Sequence, residues 1–154
     1  YDNVTEQKIL DKQYKEGFYK AKDFMAGAEL YMISKQNRMA AFMFHQAAEQ
    51  ALHTLLITGT GFHYCTHNIH RLIKYAGLVS YQLPDVFPKK TDNDKRLFNL
   101  LQKAYIDTRY KNDYNIHAPD LIRLTEKIYQ LQDIVSDFGK SFFNPERLVN
   151  GDSR

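Results

Sequence analysis

The segment 107–114, with the sequence DTRYKNDY, holds the side chains best suited to binding a ligand. Arginine presents a planar fork of donors that matches phosphate, and tyrosine rings offer faces on which bases stack. We therefore predict that this segment binds an anionic ligand through Arg109, Tyr110, Lys111 and Tyr114. The alternative is structural, with Arg109 in a salt bridge and the tyrosines packed against the next helix.

A second group of polar residues interrupts an otherwise apolar segment. Gln46 and Glu49 lie in it, with His45 and His53 close by. Polar groups on a buried helix need partners. On one interpretation Gln46 and Glu49 lie on the single solvent-exposed edge of the helix. On the other, Gln46 or Glu49 belongs to the ligand site and orients a cationic side chain, for which Arg109 is the best candidate.

Three histidines, His63, His67 and His70, surround Cys65. Zinc binds such side chains, but a structural site needs four ligands and these spacings match no common zinc finger. We therefore predict no metal and no cofactor, and we expect these histidines to cap a helix and form hydrogen bonds. His67 and His70 would share one face of a helix if both are helical.

Composition favours one globular domain, with 154 residues of which 44% are hydrophobic and 25% charged. The sequence contains no phosphate loop, no CxxC or HExxH motif and no nucleophile elbow. It has no membrane-spanning apolar run and no visible secretory signal, and a lone cysteine fits a cytoplasmic protein. The net charge of +3 permits an anionic partner without requiring one. The first residue is Tyr1 rather than Met, which fits the C-terminal part of a longer protein.

Helical periodicity runs through the chain, and we predict an all-α, up-down antiparallel bundle of about five helices. The second helix is apolar around most of its circumference, so we expect it to be central. Residues 1–154 form one domain with a core at about 11–138, and the tail 144–154 lacks the pattern and is expected to fray. The predicted helices are 11–35, 38–58, 66–76, one that begins at Asp92 or Asp94 and runs through Tyr105, and one that begins near Pro119 and runs to Phe138.

In order along the chain, three segments resemble motifs of the HEPN superfamily. Residues Ala40–Leu52 (AAFMFHQAAEQAL) are similar to its A-x-x-x-x-Q-A-A-E-x-A-L helix, and Thr66–Leu72 (THNIHRL) to its H-[DN]-[LI]-x-x-L turn. Residues Thr108–Tyr114 (TRYKNDY) are similar to its A-R-Y-P-D-x-Y variant, with Thr for Ala and Lys-Asn for Pro-Asp. The resemblance covers roughly residues 11–138.

The resemblance implies a dimeric bundle of about four to five helices. Ribonuclease members carry an Arg, four to six residues and then a His, and they cleave RNA without metal. Here Tyr114 follows Arg109 after four intervening residues, and the nearest downstream histidine, His117, follows after seven. Metal-free cleavage needs a group with a near-neutral pKa, for which tyrosine is a poor substitute.

Three functions follow from the resemblance and the residues. The first is a non-catalytic domain that binds a nucleotide or nucleic acid, works with a nucleotidyltransferase domain or protein, and uses Tyr110 or Tyr114 as a nucleotidyl acceptor. The second is a metal-independent ribonuclease toxin of a toxin-antitoxin pair, in which Arg109 works with His117 or His67. The third is a dimerisation scaffold with no ligand.

Overall fold

A computed structural model describes residues 3–144, and this part of the chain is an all-α bundle of five helices without a strand. The predicted fold class is confirmed. None of the described helices combines the length and the apolar character that crossing a membrane requires. The helices are α1 (Asn3–Ile33), α2 (Asn37–Thr60), α3 (Ile69–Ala76), α4 (Asp92–Tyr110) and α5 (Ala118–Phe143), with a short 3₁₀ turn at Leu83–Val86.

Helix α2 is the central element, and it packs against each of the other four helices. Its small alanines allow close approach, and its leucines fill the space between neighbours. Because apolar residues cover most of its circumference, no single neighbour can bury them all. The helix ends at Gly61, which adopts the left-handed conformation (φ 79°) and donates its N–H to the Ile57 carbonyl. Its fully buried apolar side chains are Ala40, Ala41, Phe44, Ala47, Ala48, Ala51, Leu52, Leu55 and Leu56.

Two helix beginnings show local capping. The Asn68 side chain accepts from the Arg71 N–H and caps α3, so this helix begins at Ile69 and not at the predicted Thr66. Helix α4 begins with a capping box in which Thr91 and Asp94 each accept from the other's backbone N–H. His67 therefore precedes α3 and does not share a helical face with His70.

Helix α4 extends five residues beyond Tyr105, where the apolar pattern ends, and finishes at Tyr110. Arg109 thus lies in the last turn of a helix rather than in a following loop. At its other end, Arg96 of α4 forms a two-pronged ion pair with Asp120 in the first turn of α5, at 2.7 and 3.0 Å. This pair lowers the pKa of Asp120 and fixes α4 relative to α5.

The ends of the outer helices also differ from prediction. Helix α1 begins at Asn3, and its first seven residues are exposed, so they carry no apolar stripe that could mark them. Helix α5 has Pro119 in its first turn, as predicted, and ends at Phe143. The frayed tail predicted for 144–154 lies outside the described residues, apart from Asn144, which caps α5.

Candidate functional site

Arg109 is exposed in the last turn of α4, and aromatic rings hold its guanidinium in place. Its Nε donates to the Tyr105 carbonyl at 2.9 Å. The guanidinium carbon lies 4.7 Å from the centre of the Tyr105 ring, 5.1 Å from that of Phe42 and 5.3 Å from that of Tyr110. Cation–π attraction to three rings restricts an otherwise flexible side chain. Within residues 3–144 its two terminal amino groups form no hydrogen bond and no acid pairs with it.

Glu49 contacts three histidines and not Arg109, so the predicted Glu49–Arg109 pair is wrong. Both carboxylate oxygens lie 3.0 Å from Nδ1 of His67. Nδ1 of His45 lies 3.6 Å and Nε2 of His53 lies 3.9 Å from the same carboxylate. The Glu49 side chain is largely buried, and its shortest contact within residues 3–144 is with the exposed imidazole of His67.

His45 and His53 attach the segment before α3 to α2. Nε2 of His45 donates to the His67 carbonyl at 3.0 Å, and Nε2 of His53 donates to the Thr66 carbonyl at 3.1 Å. Since a carbonyl can only accept, each Nε2 carries the proton. Burial lowers the pKa of both, that of His45 to about 4, so both rings are neutral at pH 7. Nε2 of Gln46 lies 3.4 Å from the unprotonated Nδ1 of His45.

Tyr105 connects His67 with Arg109. The rings of His67 and Tyr105 stack with centroids 4.2 Å apart and planes 15° apart, and Nε2 of His67 lies 3.3 Å from the Tyr105 hydroxyl. The His67 side chain is 57% exposed. Glu49, His67, Tyr105 and Arg109 therefore form one continuous surface cluster, which we call the α4 site.

Arg38, in the first turn of α2, binds the C-terminal end of α4. One guanidinium nitrogen donates to the Tyr114 carbonyl at 2.8 Å. The other lies 2.7 Å from the Thr108 carbonyl, 3.3 Å from that of Asp107 and 2.5 Å from that of Lys111. The last carbonyls of a helix have no partner within it, so Arg38 supplies what the end of α4 lacks. The role of Arg38 was not predicted from the sequence. A cation in the first turn of a helix is disfavoured by the helix dipole, so its presence there is a signal that it binds something outside its own helix.

Tyr114 does not belong to the α4 site, which corrects its predicted role in ligand binding. It is only 6% exposed, and its hydroxyl donates to the Leu100 carbonyl at 2.6 Å. Burial is also the main cause of its raised pKa. A ring enclosed in this way offers no face to a base and no free hydroxyl to a nucleotidyl group.

The other predicted residues divide into two groups. Tyr110 is 73% exposed and Lys111 is exposed beside it, so both accompany Arg109 at the surface. His117 is the N-cap of α5 and lies near Asp120; among the described residues no hydrogen bond or ion pair joins it to Arg109.

The remaining histidines also separate. Sγ of Cys65 lies 3.8 Å from Nδ1 of His63, whereas His70 contacts Lys89 on another surface. Over residues 3–144 no group of three or more His, Cys, Asp or Glu side chains has an arrangement that could hold a metal ion.

The chain is similar to a known protein family. The family model of the HEPN domain matches residues 14–135, which include all five helices in whole or in part. No curated protein matches the sequence.

The neutral state of buried His45 predicts a pH-dependent stability. Its pKa is 6.5 in the unfolded chain and about 4 in the folded one, so between these values the unfolded state binds more protons. The free energy of unfolding should therefore fall by up to about 3 kcal/mol as the pH decreases through this window. Urea unfolding at several pH values measures the slope, which His45→Gln should reduce. Equal slopes for His45→Gln and wild type would contradict this role.

Loss of the Arg38 guanidinium should loosen the end of α4. Arg38→Met keeps the aliphatic stem but removes every donor, and we expect unfolding free energy to decrease by about 1–3 kcal/mol. Amide hydrogen exchange over residues 107–116 should accelerate. Arg123→Met, at an exposed position of α5, is the control and should change stability by less than about 0.5 kcal/mol. Indistinguishable behaviour of the two variants would show that Arg38 is dispensable.

Proposed function

This chain belongs to the HEPN domain family, and from that premise we propose that it is a non-catalytic domain that binds a nucleotide or nucleic acid at Arg109. Family membership supports a nucleotide- or RNA-related role in general. The α4 site supplies the side chains for the more specific proposal, because it combines a phosphate-binding cation with exposed rings.

The state of Arg109 carries this proposal. A surface arginine usually pairs with an acid or remains flexible, whereas Arg109 is restrained by Nε and by three rings with no acid beside it in the described chain. Its terminal amino groups are thus oriented and uncompensated. Such a fork suits two-pronged binding of a phosphate, and less side-chain entropy is lost on binding when the fork is already held.

The neighbouring side chains suit the rest of a nucleotide. Tyr110 presents an exposed ring, and the His67 imidazole forms a second exposed face above Tyr105. Stacking on such rings tolerates any base. Lys111 adds charge next to Arg109, while Glu49 and Gln46 act indirectly by orienting His67 and His45.

The proposed partners come from the family resemblance. We propose that the domain works with a nucleotidyltransferase domain or protein and that it forms a homodimer. With Tyr114 buried, Tyr110 is the remaining candidate for the nucleotidyl acceptor.

Removal of the Arg109 guanidinium should weaken binding of ATP or GTP. We expect Arg109→Ala to lose about 1.5–3 kcal/mol, which is roughly a tenfold to hundredfold rise in Kd, because a charge-assisted bond to phosphate is lost. Isothermal titration calorimetry measures the change. Arg123→Ala removes an equal charge from α5 and should retain wild-type affinity. Wild-type protein that binds neither nucleotide nor RNA, or equal weakening in both variants, would contradict the proposal.

The Glu49–His67 contact favours one second candidate, the metal-independent ribonuclease. Cleavage of RNA requires attack of the 2′-oxygen on the adjacent phosphorus, removal of the 2′-hydroxyl proton, and protonation of the departing 5′-oxygen. His67 is held through Nδ1 by Glu49, so Nε2 is directed to the surface beside Tyr105 and remains available for a proton. Arg109 would stabilise the charge that develops on phosphorus oxygens. Of the two candidate acid–base partners of Arg109, the geometry favours His67 over His117.

An RNA cleavage assay in EDTA separates these candidates. If the domain is a ribonuclease, His67→Ala should reduce the rate by about 10²–10⁴, the usual contribution of a general acid or base, and His117→Ala should leave it unchanged. Gel analysis of a labelled RNA measures the rate. Absence of cleavage by the wild type, together with nucleotide binding, would exclude the ribonuclease and favour the non-catalytic domain.

A further inference from the structure

The α4 site continues along one face of its helix beyond Tyr105. Phe98, Gln102, Tyr105 and Arg109 follow each other at helical spacings of four, three and four residues. Oε1 of Gln102 accepts from the His70 backbone N–H at 3.1 Å, and the His70 ring meets Phe98 edge-on at 6.3 Å. The segment 67–70 therefore lies antiparallel along this face, with His67 beside Tyr105 and His70 nearer the start of α4.

A basic cleft of about 610 Å³ lies at the far end of this face. Nζ of Lys89 lies 4.4 Å above the Phe98 ring and 2.8 Å from Nδ1 of His70. Burial first, and then the charges of Lys89 and Lys74, lower the pKa of His70, so its neutral ring accepts a hydrogen bond from the Lys89 ammonium and orients that lysine. The cleft is lined on this side by His70, Lys74, Phe87, Lys89, Lys90 and Phe98.

Charge along the face is suited to a polyanion. The cleft contains three lysines and one acid, Asp85, and therefore has a local net charge of +2. The opposite end carries Arg109 and Lys111, whose charge is partly cancelled by Asp107 and Asp113 of the same segment, although neither acid pairs with Arg109 in the described residues. Between the cleft, which includes His70, and Arg109 lies the exposed ring of His67, and Glu49 is largely enclosed by its histidines. Cations separated by exposed rings are the pattern that binds single-stranded nucleic acid.

The length of this face of α4 favours a strand over a mononucleotide as the ligand. Phe98 and Arg109 are eleven residues apart, which corresponds to about 17 Å of helix. A stacked strand rises about 3.4 Å per nucleotide, so this distance spans about five nucleotides. A single nucleotide reaches only one of the two basic ends.

We infer that the ligand of the α4 site is a single nucleic-acid strand of several nucleotides that extends from Arg109 along α4 to Lys89 and Lys90. This inference rests on the proposed function and specifies its ligand. It makes Lys89 and Lys90 phosphate-binding residues that act on a strand and not on a mononucleotide.

Binding of fluorescein-labelled hexauridylate, compared with binding of uridine monophosphate, tests this inference. The hexanucleotide should bind about tenfold more tightly or better, because a second group of contacts becomes intramolecular. The double variant Lys89→Ala/Lys90→Ala should abolish this advantage and leave the mononucleotide affinity unchanged. For hexauridylate binding by this variant, the slope of log K against log salt concentration should fall in magnitude by about 1.4, which is about 0.7 for each lost phosphate contact.

The control Lys12→Ala/Lys20→Ala removes two exposed lysines from α1 and should retain wild-type binding. Hexauridylate that binds the Lys89/Lys90 variant as it binds wild type would overturn the inference. If Arg109→Ala nevertheless loses binding in that case, the proposed function stands and only the strand path is wrong. Absence of any nucleotide or RNA binding by wild type would overturn both.

Discussion

Four backbone carbonyls around one guanidinium fix the end of α4, and the position of the candidate site depends on this contact. Arg38 binds carbonyls from Asp107 and Thr108 inside the helix and from Lys111 and Tyr114 after it. The chain turns away after Tyr110, and although the Asp107 carbonyl still accepts from the Lys111 N–H at 2.9 Å, the last carbonyls of the helix have lost their usual partners. Because one rigid group on α2 satisfies all of them, the last turn of α4 and the returning loop are held together. Arg109 is thereby presented from a fixed helix end.

Two neutral histidines provide the second fixed point on the same helix. His53 and His45 donate to the carbonyls of the successive residues Thr66 and His67, respectively, and this places the His67 ring against Tyr105. Burial lowers the pKa of both histidines and keeps them uncharged, and each neutral ring still has one N–H to donate to a carbonyl. The central helix thus positions both sides of the α4 site, although its own polar side chains are mostly hidden from solvent.

Sequence patterns predicted the bundle because its helices bury regular apolar stripes. Local chemistry alone accounts for three features: the apolar surface of α2, the Asn68 cap of α3 and the position of Pro119 in the first turn of α5. The last turn of α4 did not, since it is polar on most sides and its carbonyls are satisfied by Arg38, some seventy residues earlier in the chain. The burial of Tyr114 is likewise determined by the returning loop. The partners of Glu49 depend on where the segment before α3 lies, which periodicity does not encode.

The central claim is that the Arg109 guanidinium receives a phosphate while Arg38 remains bound to backbone. Side-chain ¹⁵N NMR of the arginine Nε–H groups during titration with ATP observes both groups in one experiment. We expect a saturable shift of the Arg109 signal, accompanied by shifts of the Tyr110 and His67 ring protons, while the Arg38 signal stays unchanged. An Arg109 signal that stays constant while nucleotide binds elsewhere on the domain would contradict it.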